Sequence, residues 1–250
     1  MAEFRRPHHR LIAQILRSFN AEFLSQAACY FGGGTHLAMS FGEYRESRDI
    51  DLLCSSRDGF RLIRQEVDDR SLGRIMSRSV VLARDVRADR DGVRTFFEVD
   101  GVRIKLEILM EARIDLAGAI DPRFFVPTLR IEHAIAEKFL ANTDRGLDDS
   151  TLSRDLIDLA FVANHAEKQA LRTGLALAEQ AYGTSVTRLL ARCLDLFQRD
   201  RPRAKRCIDT LAIGDTASLR MGMRRLRKLV SPSRPRRAAP RSASRTTART

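Results

Sequence analysis

The sequence predicts an α/β (α+β) fold: a mixed sheet with helices in the N-terminal half, an all-helical C-terminal half and a disordered basic tail. Three observations predict it. A short apolar run at Cys29-Tyr30-Phe31 stops at Gly32-Gly33-Gly34-Thr35, gives way to a helix start at His36, and is followed by strand-like alternation from Asp49 to Leu53. Residues 79 to 109 then hold three strand patterns, the last two joined by Asp100-Gly101, a strong hairpin signal. Beyond Pro127, apolar residues recur at helical spacing to about residue 213. The chain therefore divides into an α/β unit over residues 1–126, a helical unit over 127–230 and an Arg-rich tail over 231–250.

Each element has its own signal. Leu11, Ile12, Ile15, Leu16, Phe19 and Phe23 recur at close to 3.6 residues and predict one amphipathic helix over 10–28. After the strand at 29–31 and the glycine turn, a helix is expected from His36 to Ser40, a strand from Asp49 to Leu53, and a helix from Phe60 to Arg70. The three later strands are placed at Val80–Leu82, Thr95–Val99 and Val102–Leu109. Helical periodicity then marks 129–142, 150–166, 168–182, 184–199 and 203–213, and no internal repeat is found.

Composition excludes several classes. No stretch approaches the ~20 apolar residues of a membrane span, and the basic start MAEFRRPHHR is followed by no apolar run, so the default expectation is a cytoplasmic protein. Cys29, Cys54, Cys193 and Cys207 are widely spaced, which indicates neither a disulfide framework nor a zinc cluster, and they are read as idle or buried thiols. The net charge of +12 is unevenly spread: residues 220–250 hold 11 Arg or Lys and no acid, while the other 219 residues carry 33 basic and 32 acidic groups. The basicity is thus assigned to a tail, which either grips RNA phosphates or simply solubilises the chain.

The chemistry-bearing residues sit around the glycine turn. Residues i and i+2 of a strand point to one face, so Asp49 and Asp51 project together while Ile50 and Leu52 pack inward. Two such carboxylates can share two Mg²⁺ ions about 3.5 to 4 Å apart, the arrangement of in-line displacement at phosphorus. Val102, Ile104, Leu106 and Ile108 fill one face of the last strand and leave Glu107 on the other as a third candidate metal ligand. Gly33, Gly34 and Thr35 offer backbone amides, a hydroxyl and a helix N-terminus to a phosphate. There is no P-loop lysine and no GxGxxG, so those two nucleotide folds fall away. Taken singly, a DxD pair also reads as a solvated strand face and GGGT as ordinary turn punctuation. The specific signal is their order: strand, GGGT, helix, then DID on the next strand.

With those residues the chain resembles the nucleotidyltransferase fold of the DNA polymerase β superfamily, and more closely the AbiEii/AbiGii-type nucleotidyltransferase toxins of bacterial abortive-infection and toxin–antitoxin systems. The closer resemblance rests on Phe31-Gly32-Gly33-Gly34-Thr35, Arg45-Glu46-Ser47-Arg48-Asp49-Ile50-Asp51-Leu52, Glu137-Lys138-Phe139 and Arg154-Asp155-Leu156-Ile157-Asp158-Leu159, and covers residues 28 to 165. Helical spacing places Lys138 on the edge of the stripe Ile131, Ile135, Phe139, and Asp155 and Asp158 on the edge of the stripe Leu152, Leu156, Leu159. Their alternative reading is structural: a snorkelling lysine and an ion pair with Lys138 or Arg154.

The resemblance implies a Mg²⁺-dependent transfer of NMP from an NTP. Asp49 and Asp51 would hold metal with Glu107 in reserve, Gly33, Gly34 and Thr35 the triphosphate, and Lys138 the developing charge. Asp155 would orient or deprotonate the acceptor hydroxyl, and Arg48 would bind phosphate or balance the carboxylates. The implied acceptor is the 3′ end of a tRNA and the implied partner a cognate antitoxin, in phage defence. Alternatives are a protein or small-molecule acceptor, and a non-catalytic RNA-binding member of the fold. His36 beside the loop is expected to be solvated or to touch phosphate.

Overall fold

The computed structural model describes residues 4–230. The predicted first helix is two: α1 (Pro7–Leu16) and α2 (Ala21–Gln26), because Asn20 leaves helical geometry and its side chain caps α2 by accepting from the Phe23 N–H. Next come β1 (Cys29–Phe31), α3 (Gly33–Ser40), β2 (Ile50–Cys54) and α4 (Arg57–Glu66). They are followed by β3 (Leu82–Ala88), β4 (Gly92–Val99), β5 (Val102–Met110), β6 (Gly118–Asp121) and β7 (Val126–Leu129). The helices α5 (Ile131–Arg145), α6 (Arg154–His165), α7 (Lys168–Tyr182), α8 (Ser185–Arg199), α9 (Arg201–Thr210) and α10 (Thr216–Val230) complete the described chain.

All seven strands form one mixed sheet in the order β3-β4-β5-β2-β1-β7-β6. Asp100 and Gly101 both take positive φ, as the β4–β5 hairpin requires. β2 runs parallel to β5 and antiparallel to β1, so it lies at the centre with both neighbours fixed. Alternation along β2 then sorts its side chains. Ile50, Leu52 and Cys54 enter a core with α1, α2 and α4, while Leu53 enters a second core built by α3 and the C-terminal helices. Asp51 shares the parity of Leu53, so it faces the helices.

Several expectations shift. β3 lies at Leu82–Ala88 rather than Val80–Leu82; it is the sheet edge, and its exposed Arg84, Asp85 and Arg87 hide the apolar pattern. The β6–β7 hairpin was not anticipated, and its β7 contains the Pro127 that reads as a boundary. α10 was also missed. Arg220, Arg224, Arg225, Arg227 and Lys228, counted with the tail on sequence, belong to this helix, whose Leu219, Gly222 and Leu226 are buried. The expected disordered tail over 231–250 lies outside the described residues. All four cysteines are buried free thiols. Among the described residues no helix is long and apolar enough to cross a membrane.

If α10 is part of the folded body, Leu226→Ala leaves a cavity in a fully buried position. It should cost about 2–5 kcal/mol in denaturant unfolding, whereas a tail position would show no change.

Candidate active site

The glycine turn is explained first by what presses on it. Gly32 N–H donates to the Asp51 carbonyl at 2.9 Å, so the turn is laced to β2. Gly33 has φ +67°, and a Cβ there would stand 2.0 Å from the Asp51 carboxylate. A Cβ at Gly34 would stand 2.1 Å from the Arg45 guanidinium. The two glycines are therefore the space into which an acid and an arginine fit. The helix begins at Gly33, three residues before the predicted start, and no side chain caps it at Gly32. Its first-turn amides at Gly33, Gly34 and Thr35 have no intrahelical acceptor and present the positive end of the helix. The Thr35 hydroxyl is committed elsewhere: it is buried and donates to Ser47 Oγ at 2.8 Å, so what Thr35 offers an anion is its N–H.

Asp51 lies in β2 and Asp49 on the extended residues just before it, with Ile50 and Leu52 fully buried on the opposite side. Glu107 of β5 is the register partner of Asp51, where the third acid was expected. Its carboxylate accepts from Lys105 Nζ at 2.7 Å and Arg94 Nε at 3.3 Å. Burial, with the charges of Asp49 and Glu107 adding and Lys138 and Lys105 opposing, pushes the Asp51 carboxyl up to about 6. Arg48 is exposed, its guanidinium on Glu46 Oε1 at 2.7 Å.

Behind Asp51 lies a buried charge network. Lys138 of α5 is 8% exposed in its side chain and holds Asp155 at 2.9 Å and Asp158 at 2.8 Å, both on α6. Asp158, fully buried, also receives a two-pronged contact from Arg45, at 2.6 and 2.9 Å, and the Tyr44 hydroxyl at 2.8 Å. Asp155 takes Arg145 Nε at 2.8 Å. Burial by itself would raise both carboxyls. Lys138 and Arg145 outweigh it at Asp155, and Arg45 and Lys138 at Asp158, so both lie below the ordinary range. The structural ion pair foreseen for these acids is with Lys138, Arg45 and Arg145; Arg154 instead donates to the Thr151 carbonyl.

Sequence reasoning gave no role to Tyr44, Arg45, Arg145 or His9. Arg145 follows Lys138 by seven residues, two turns along the same helix face, and that shared face was the available signal. His9 is buried, donates to Glu43 at 2.8 Å and accepts from the Ser47 N–H at 3.2 Å, fixing the loop that carries Arg45 to Asp49. His36 is neither solvated nor at the phosphate turn. It is buried against Phe31 and Phe124, and burial, with Arg123 adding, lowers its pKa to about 4.

The sequence model of the nucleotidyl transferase AbiEii toxin family, a type IV toxin–antitoxin system, matches residues 14–231. The chain belongs to the AbiEii family. It is accordingly a nucleotidyltransferase of a toxin family, one whose systems pair a toxin with an antitoxin. JHP933 from Helicobacter pylori, 15% identical over 91% of this chain and 93% of that one at TM-score 0.51, shares the fold. A candidate nucleotidyltransferase from H. pylori is 16% identical over 92% of this chain and 99% of that one, at TM-score 0.49. An antigenic nucleotidyltransferase-like protein from Paracoccidioides brasiliensis is 14% identical over 74% and 92%, at TM-score 0.34. No curated protein sequence matches the chain.

Two stability signatures separate the acids of this AbiEii chain. Asp51 has a raised folded pKa, so its contribution is complete below about 3.8 and lost as pH rises through about 6. Asp51→Asn should therefore raise Tm at pH 8 in metal-free buffer and converge on the parent near pH 4. Asp158 has a lowered pKa and contributes above the ordinary carboxylate range. Asp158→Ala strands Arg45 and Lys138 in the interior and should cost about 3–5 kcal/mol at neutral pH in urea unfolding.

Proposed function

We propose that this AbiEii enzyme takes NMP from an NTP with Mg²⁺ as cofactor and joins it to the 3′ end of a tRNA. One juxtaposition supports the reading: the Asp51 carboxylate packs on Gly33, the first residue of the uncapped α3 amide row, with Glu107 in register beside it and Lys138 acting on it from α5. The site is taken to lie between the α/β unit (1–126) and the helical unit (127–230).

The acids fit Mg²⁺. Burial and two neighbouring acids disfavour the Asp51 charge, which a divalent cation relieves, and hard oxygen donors are what Mg²⁺ takes. Among the described residues no three His, Cys, Asp or Glu converge as a ready-made cage. Asp49 and Asp51 would hold the metal, and Glu107, in register beside Asp51, would be the third protein oxygen donor. Two such ions, when bound, neutralise phosphate charge and sharpen the acceptor oxygen for in-line attack.

The remaining steps belong to the chain's own groups. The N–H groups of Gly33, Gly34 and Thr35 hold the triphosphate at the helix N-terminus. Lys138, fully charged because two aspartates hold it, stabilises the charge that gathers on the phosphate as pyrophosphate leaves. Asp155, held below the ordinary range by two cations, is a weak base, so we assign it to orienting Lys138 rather than to deprotonating the acceptor. Arg48 beside Asp49 and Arg145 beside Asp155 suit a polyanionic acceptor. As the toxin of a phage-defence pair, the enzyme arrests growth when its antitoxin is missing.

With Mg²⁺, bacterial tRNA and each α-³²P-labelled NTP in turn, label should appear at tRNA 3′ ends and vanish on periodate-blocked tRNA. Asp49→Ala and Asp51→Ala should each lower the rate about 10³-fold or more. Label on protein would move the acceptor class, and no label with any NTP would overturn the reading. Mg²⁺ with a non-hydrolysable NTP should raise Tm clearly at pH 8 and little at pH 5, since Asp51 must lose its proton to bind metal.

A further inference from the structure

A concave surface lies far along the chain from these residues, between α8, α9 and α10. It is a groove of about 970 Å³. Its floor is apolar and mostly aliphatic: Leu194, Phe197, Ile208, Leu219 and Met223. Its rim is cationic, with Arg201, Arg220, Arg224 and Lys228 among its lining residues and no acidic residue lining it. Lys205 and Arg227 also line it but are held by Asp209 and Asp195. Arg201, Arg220, Arg224 and Lys228 have no acidic partner within salt-bridge distance among the described residues.

We propose that this groove docks an acidic amphipathic helix of a partner protein, its apolar stripe on the floor and its carboxylates on the rim. Helix-in-groove recognition reads apolar anchors at i, i+3/i+4 and i+7, and a flexible methionine lets such a floor adapt. Charge selects the occupant. Residues 231–250, which continue from α10, hold six Arg and no acid, so the chain's own continuation is mismatched to the rim. A second copy docking by the same face would set this cationic rim against its own. RNA matches the rim but not the floor, which offers one aromatic ring where base stacking uses several. The inference is independent of the tRNA and Mg²⁺ assignments.

The probe is a fluorescein-labelled helical peptide of about 16 residues, Leu at i, i+3/i+4 and i+7 and Glu at most other positions. Binding to the full chain is read by anisotropy, with a scrambled peptide of the same composition and a single-stranded RNA of about 20 nucleotides as comparisons. The ordered peptide should bind about tenfold or more tighter than the scrambled one, and Arg220→Glu/Arg224→Glu should weaken it about tenfold. Both changes are at exposed positions, so the fold stays intact. Met223→Asp should weaken it similarly, which tests the floor separately from the rim. Equal binding of the scrambled peptide, or no effect of the double charge reversal, would overturn the proposal by placing the interaction on the Arg-rich residues after 230. Tighter binding of the RNA with the same sensitivity to Arg220→Glu/Arg224→Glu would make the groove a nucleic-acid surface instead.

Discussion

The structure around the site depends on one interaction, the clasp of Lys138 by Asp155 and Asp158 in an interior that excludes water. Each acid is held by a second cation, Arg145 or Arg45; Lys138 and Arg145 come from α5 and Arg45 from the loop before β2. The clasp therefore fixes α5, α6 and that loop relative to one another. Buried pairs of this kind return little net stability over apolar packing, but removing one partner is costly, so their effect is to specify a single arrangement. Three cations face two carboxylates here, and the surplus positive charge lies toward Asp51, where Lys138 opposes the effect of burial.

That arrangement explains the glycines. Arg45 reaches Asp158 by passing over Gly34, and Asp51 reaches its position by lying on Gly33. A helix N-terminus, an acid from the central strand and a clasped lysine thus converge because the backbone between them carries no Cβ. The exposed side of the molecule is governed differently. In the groove of α8, α9 and α10, Arg201, Arg220, Arg224 and Lys228 have no acidic partner within salt-bridge distance among the described residues, which costs little in water and leaves them available to a partner.

Much of this was legible in the sequence because it follows from period and chirality alone. Alternation in Asp49-Ile50-Asp51-Leu52 gave the correct faces, the Glu107 position followed from the same alternation, and Asp100-Gly101 marked the hairpin. The glycine run was legible as a close approach, but not as an approach to Asp51 and Arg45, because that requires knowing which distant chain folds over it. β3 was displaced because an edge strand spends its side chains on charge. β7 was missed because Pro127 forbids most interior strands, and here the strand is short, with Pro127 opposite Ile120 in the hairpin and pairing to β1 confined to Phe31 and Thr128. α10 was hidden because five basic residues on its exposed face resemble the composition that follows it. His9, Tyr44 and Arg45 escaped for a further reason. They act by hydrogen bonds across 34 to 114 residues of sequence, and no local spacing records those.

In the proposed mechanism Asp155 acts through Lys138. A double-mutant cycle measures it directly: rates of NTP-dependent labelling or pyrophosphate release for Lys138→Met, Asp155→Asn and both together, in protein kept well below its unfolding transition. If Asp155 positions the lysine, the double variant loses no more than Lys138→Met alone, and the pH profile of Asp155→Asn keeps the parent's shape. Losses that multiply, with an acidic limb removed from the profile by Asp155→Asn, would contradict the account and make Asp155 a base in its own right.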